Sequence, residues 1–309
     1  MSALLDVILP VFLIIAVGYG AARFGALSEG GFDGMMSYAQ SFALPVLLFK
    51  SIAAIDLSVA YHAGLMASFY LGAFVAFGFC FAVARYGFRR PATDSIAIGF
   101  AGYFSNTLLL GIPITENAYG PQALAGNFAI ISIHAPLLYS LGIMAMVLAQ
   151  SGGFRAGMWR EIARAIITQP LVIGILCGFA VNLSGVPLPH FSSTAIDMIA
   201  RSGIPAALFG LGGVLFRYRP EGDAGLIALV CTAALVVHPA IAYGLGRGVF
   251  HLDRDALRSV TVTAAMAPGV NAYMFAHMFG VGKRVTASAV LFGTAVCIFT
   301  TWGWLHILP

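Results

Sequence analysis

Charged side chains are scarce in this sequence. Asp, Glu, Lys and Arg supply 9% of its 309 residues, against roughly 25% in soluble domains. Hydrophobic residues supply 60%, more than one water-facing core of this size hides, so the chain reads as an all-α membrane protein. Blocks of like charge are also missing. The net charge of +4 is therefore loop charge, and no nucleic-acid partner is expected. Cysteine is sparse, and Cys80, Cys177, Cys231 and Cys297 show neither CxxC spacing nor a His at zinc-site spacing. They read as reduced packing residues, with no metal expected. There is no HExxH, no GxSxG-like nucleophile context, no paired Asp-rich motif and no Walker A sequence. An intramembrane enzyme has nothing to work with, so no catalytic residue and no cofactor is expected. The first apolar stretch holds Asp6 and lacks a basic leader, and reads as a retained helix rather than a cleaved signal.

What is present is length of apolar segment. A spanning helix needs about 20 mainly apolar residues, and ten segments qualify: 4–23, 35–54, 62–84, 95–118, 124–149, 162–183, 195–216, 224–248, 258–279 and 286–307. Turn and charge signals such as Gly30-Gly31, Arg89-Arg90-Pro91 and Ser151-Gly152-Gly153 separate them. With the N-terminus outside, eleven of the sixteen Lys and Arg, Arg155 among them, fall in cytoplasmic loops, which places both termini on the outer side. Arg247, Arg254 and Arg258, around the loop after segment eight, run against that trend.

Proline spacing suggests an internal repeat. Pro10 and Pro170 are 160 residues apart, as are Pro45 and Pro205; Pro113 and Pro268 are 155 apart. Pro136 and Pro239 have no partner. Ten helices divide into residues 1–150, a short linker at 151–161, and residues 162–309. Five helices per half is an odd number, so the halves would be inverted relative to each other.

Two apolar segments carry Pro and Gly in their middle: Asn106-Thr107-Leu108-Leu109-Leu110-Gly111-Ile112-Pro113-Ile114-Thr115, and Ala267-Pro268-Gly269-Val270-Asn271-Ala272-Tyr273. Pro removes a backbone donor and Gly permits a bend, so each reads as a helix broken inside the bilayer. Such breaks persist where they line a cavity. If they cross, the N-termini of the half-helices aim partial positive charge at an anion. Asn106, Thr107, Gly111, Pro113, Thr115, Pro268, Gly269, Asn271 and Tyr273 are the candidate substrate-binding residues. The alternative is that the Asn and Thr side chains only repair kinks.

These two stretches, with Asp6-Val7-Ile8-Leu9-Pro10-Val11-Phe12 and Gly18-Tyr19-Gly20, resemble the auxin efflux carrier family over the whole chain. That family includes the plant PIN carriers and many bacterial relatives. The resemblance implies a fold shared with bile-acid sodium symporters. Helices one, two, six and seven would form a scaffold, and helices three to five and eight to ten a transport domain with two crossing broken helices. It implies a secondary transporter of small organic anions, malonate-like or auxin-like carboxylates, in a bacterial inner membrane, moving by an elevator-like motion. The short linker lacks the large soluble loop that PIN carriers often have. A channel or sensor on a carrier-like fold is the alternative, with an intramembrane enzyme a more distant one.

Among other polar residues, Glu116, His134 and His277 are candidates for a coupling proton, and His238 also lies in an apolar segment. Lys50 reads as a snorkelling lysine or a substrate contact. Asp197 and Arg201, four apart, read as a structural pair. Gly174 to Gly178 and Gly244 to Gly248 form GxxxG patterns, which fit packing within one subunit or a homodimer.

Overall fold

The computed structural model describes residues 3–151 and 158–309. The described chain is helical, and its only extended pairing is an isolated antiparallel bridge between Ser105 and Pro268. In chain order the helices are α1 (Leu9–Arg23), α2 (Glu29–Tyr38), α3 (Leu44–Ala54), α4 (Leu57–Ala60), α5 (Ala63–Ala82), α6 (Ala92–Tyr103), α7 (Ile112–Tyr119) and α8 (Ala125–Ser151). The second half holds α9 (Met158–Ile167), α10 (Pro170–Ser184), α11 (His190–Arg217), α12 (Ala224–Thr232), α13 (His238–Gly248), α14 (Arg254–Ala264), α15 (Val270–Phe279) and α16 (Lys283–Ile307).

Among the described residues, six helical stretches are long and apolar enough to cross a membrane: Leu4–Arg23, Ala63–Gly87, Pro121–Gln150, His190–Arg217, Ala224–Gly248 and Lys283–Ile307. They match six of the ten expected segments. The expected segment at 162–183 is divided. Pro170 cannot donate a backbone hydrogen bond, and Gln169 before it is extended (ψ 127°), so α9 ends and α10 begins anew. The expected linker and Arg155 fall largely outside the described residues.

Proline has a recurring solution here. Widened π turns at Ala3–Ile8, Ala39–Ala43, Thr107–Gly111 and Ala233–Val237 each end one residue before a dipeptide closing in Pro10, Pro45, Pro113 or Pro239. A widened turn gives the ring room against the preceding carbonyl, so the helix continues through the proline. Side chains cap the polar ends: Ser28 accepts from the Gly31 amide, Asp223 from Gly225, and Asp253 from Ala256.

Two helix pairs pack through glycine. α1 lies on α11, where a Cβ on Gly18 would overlap the Phe209 carbonyl and one on Gly212 the Ile15 carbonyl. α10 lies on α3, where Gly174 meets the Pro45 carbonyl and a Cβ on Gly178 would sit 2.8 Å from the Phe49 oxygen. Small residues admit this close approach, which supplies dispersion contact that lipid cannot better. Gly174 and Gly178 thus pack within the subunit. Ion pairs pin both ends of α11: Lys50 reaches Asp197 at 2.7 Å, and Arg217 reaches Asp33 at 2.7 Å. Asp197 therefore pairs across helices with Lys50, rather than along its own helix with Arg201 as its spacing suggested, because α3 brings an ammonium closer.

The remaining helices surround the two interrupted segments. α6 packs on α15, α14 on α7, and α8 against both α6 and α14. Phe100 of α6 stacks on Phe275 of α15 with ring centroids 3.8 Å apart.

Candidate functional site: a cavity at two helix interruptions

The first interruption lies at residues 104–106 and the second at 265–269. They meet through their backbones. The Asn106 amide donates to the Ala267 carbonyl at 2.8 Å, and the Gly269 amide donates to Phe104 at 2.9 Å. The second break contains Pro268, as expected. The first does not contain Pro113, which is the second residue of α7 and is carried by the widened turn before it. Gly111 has φ −62° and ψ −47°, ordinary helical values, so it supplies no bend. The break instead follows Phe104 and Asn106, whose ψ angles of 79° and 61° leave the helical range.

A cavity of about 210 Å³ opens beside this junction. One wall is Ser105, Asn106, Thr107, Gly269, Val270 and Asn271. His134 and Tyr139 of α8 form a second, and Gln40, Ser41 and Gln169 with apolar residues of α3 and α10 form the third. Among the described residues, no Asp, Glu, Lys or Arg lines it. The first turns of both half-helices face the space, through Thr107, Leu108 and Leu109 on one side and Gly269, Val270 and Asn271 on the other. Backbone N–H groups in a helix's first turn lack acceptors within the helix and carry partial positive charge. The side chains of Asn106 and Asn271 make no hydrogen bond within the described protein. Only backbone groups at these positions are engaged, as where Tyr139 donates to the Asn271 carbonyl at 3.1 Å. Side chains that were repairing kinks would be bonded to the freed backbone.

Of the expected binding residues, Asn106, Thr107, Gly269 and Asn271 line the cavity. Pro268 is buried behind it, its ring against Gly293. Gly111, Pro113 and Thr115 lie further along, in the core. Thr115 accepts at 3.0 Å from Asn127, whose amide also donates to Thr263 at 2.8 Å, tying α8 to α7 and α14. Tyr273 packs on Tyr218 with ring centroids 4.8 Å apart, outside the cavity. Among the proton candidates, Glu116 and His277 are exposed and away from the cavity, and His134 lines it. His238 is fully buried, its Nε2 3.1 Å from the Phe69 carbonyl and its Nδ1 3.4 Å from Ser105 Oγ. Sequence reasoning missed Gln40, Ser41, Gln169 and Asn127. Isolated polar side chains in apolar segments, three amides and one hydroxyl, were the available signal.

A family profile described as "Membrane transport protein" matches residues 3–305. A protein of Rhizobium meliloti (strain 1021) named "Putative malonate transporter" is 24% identical over 311 residues, covering 100% of this chain and 97% of its own. The Arabidopsis thaliana "Auxin efflux carrier component 5" is 20% identical, covering 95% of this chain and 93% of its own. The "Lysosomal cholesterol signaling protein" of Mus musculus is 24% identical across this whole chain, which spans 38% of that protein's length.

Proposed function

Because the chain belongs to the membrane transport protein family, that of the auxin efflux carriers, we propose that it is a secondary transporter of small organic anions with the junction cavity as its substrate site. The observation that carries this reading is the pair Asn106 and Asn271. Both side chains border the cavity unpartnered, next to two helix N-termini whose dipoles favour negative charge. The wall supplies oriented dipoles rather than a fixed cation, so a carboxylate binds without being trapped. A malonate-like substrate accords with the name of the Rhizobium relative.

The repeat and the division into two bodies belong to the same proposal. If helices one to five map onto six to ten, contact between one and seven implies contact between six and two. The glycine-packed pairs α1 with α11 and α10 with α3 accord with that mapping. These helices, with α2, form the scaffold, and the interrupted segments with α5, α8, α12, α13 and α16 form the transport body. The cavity lies between the two, where alternating access by an elevator-like motion needs it. Both termini are placed outside, in a bacterial inner membrane.

Uptake of labelled malonate into proteoliposomes tests the reading. Saturable flux, accelerated by unlabelled malonate on the far side, is the expected result. Unsaturable current marks a channel, and absence of both flux and binding across a panel of small carboxylates overturns the anion assignment.

A further inference from the structure

Like Asn106 and Asn271, His134 borders the cavity with an unpartnered side chain, and of the three it alone can take up a proton. It is 3% exposed and lines the cavity, and neither ring nitrogen makes a hydrogen bond. The Ser105 backbone lies nearby without meeting hydrogen-bond geometry. The imidazole is held by apolar contact, with its centroid 4.6 Å from the Phe104 ring and 5.6 Å from Phe69. A packing histidine would satisfy at least one nitrogen, since a buried polar atom without a partner costs stability. Two buried nitrogens without partners, on a ring that lines the cavity, are the mark of a side chain that awaits a ligand.

Charge counting says which ligand requires it. Each half-helix N-terminus contributes about half a positive charge, so the pair balances about one negative charge. A monovalent carboxylate is thereby matched. A dicarboxylate leaves about one negative charge over, and among the described residues no Lys or Arg in the wall meets it. The titratable groups near His134 are few. Tyr139 lies on its own helix, and Tyr70 on α5 donates to the Ile130 carbonyl at 2.9 Å. His238 on α13 sits across the Phe69 ring, 4.8 Å from its centroid. The tyrosines can only lose a proton, which adds negative charge, and the His238 nitrogens are already engaged.

We propose that His134 sets the charge selectivity of the site: a monoanion binds beside a neutral imidazole, whereas a dianion binds together with one proton, taken from solution onto the free nitrogen of His134. The bound dianion supplies the counter-charge that a protonated His134 lacks in the empty cavity. Transport of a dicarboxylate thus carries one proton with it, and transport of a monocarboxylate carries none. This inference rests on the anion-carrier reading above.

The test compares malonate with acetoacetate, a monoanion of similar size, by calorimetric titration of the purified full chain. Titrations in two buffers of different ionisation enthalpy, at about pH 7.5 where malonate is doubly ionised, count the protons taken up. The wild-type protein is expected to take up close to one proton with malonate and close to none with acetoacetate. His134→Gln is expected to abolish the uptake and to weaken malonate at least tenfold more than it weakens acetoacetate, with an unshifted melting temperature of the ligand-free protein reporting an intact fold. Equal uptake with both anions in the wild type overturns the proposal without any variant. Uptake that persists in His134→Gln overturns it too, because the proton then rides on malonate. Equal loss of both ligands in that variant assigns His134 a packing role. If neither anion binds the wild-type protein, the failure lies with the small-carboxylate reading itself.

Discussion

The α1–α11 and α3–α10 seams and the junction of the two interrupted segments solve opposite problems. In the seams, backbones touch. A Cβ at Gly18, Gly212 or Gly174 would overlap a facing carbonyl. At the junction, a Cβ at Gly269 would meet its nearest neighbour at 3.6 Å, an ordinary contact, and one at Gly111, a turn beyond the first break, would also find 3.6 Å. The seams are held by close packing of small residues, and ion pairs tie α11 of one seam to α3 of the other and to α2. The junction is held by two backbone hydrogen bonds and by the Asn127 amide. One region resists deformation because nothing in it can be enlarged. The other keeps polar groups available because its glycines are not needed for contact.

The largest expected effect comes from breaking a seam. Gly212→Ala drives a methyl into the Ile15 carbonyl, and overpacking of this kind costs typically 1–3 kcal/mol. Folded yield and melting temperature in detergent should both fall. Unchanged melting would mean that the α1–α11 contact is looser than described. Asn127→Val comes next. It strips the buried tie to Thr115 and Thr263 at a cost of about 1–3 kcal/mol, yet malonate affinity should hold in the fraction that folds, since Asn127 does not line the cavity.

Asn106→Ala and Asn271→Ala sharpen the contrast from the other side. Each should weaken binding about tenfold, close to 1.4 kcal/mol, with the melting temperature of the ligand-free protein unmoved. Their combined loss should fall short of the product if both hold one carboxylate. A drop in melting temperature equal to the drop in affinity would return them to a structural role. Gly111→Ala and Gly269→Ala should change stability by less than about 0.5 kcal/mol, and a large loss at either would show that the junction is as tight as the seams.

The smallest effect concerns the pin at Asp33. Its hydrogen bond to Arg217 holds the carboxyl below the ordinary aspartate range. A lowered carboxylate stabilises the fold above its unfolded pKa, and that contribution disappears as pH falls through the folded value. The group is solvent-facing, so Asp33→Asn should only slightly flatten the acid limb of a stability profile below about pH 4.

Much of this contrast was legible in the residue string. Apolar segment lengths gave the membrane class, and Asn106 and Asn271 stood out as amides beside proline in apolar surroundings. The seam at Gly174 and Gly178 was visible as a pattern, though its partner helix was not. Pro113 misled because proline disrupts only an ordinary turn; the widened turn at Thr107–Gly111 absorbs it, and nothing in local composition announces such a turn. Gln40 and Gln169 were hidden for a different reason. They reach the cavity only because α10 restarts at Pro170 and lies along α3, a tertiary arrangement that no local pattern encodes.

The clasp from Asn106 to Ala267 and from Gly269 to Phe104 is made of peptide groups alone. Mutation at those positions repaints the chamber without unfastening it, provided a backbone N–H remains at the two donors. The lining residues can therefore be exchanged one at a time while the two interrupted segments stay joined.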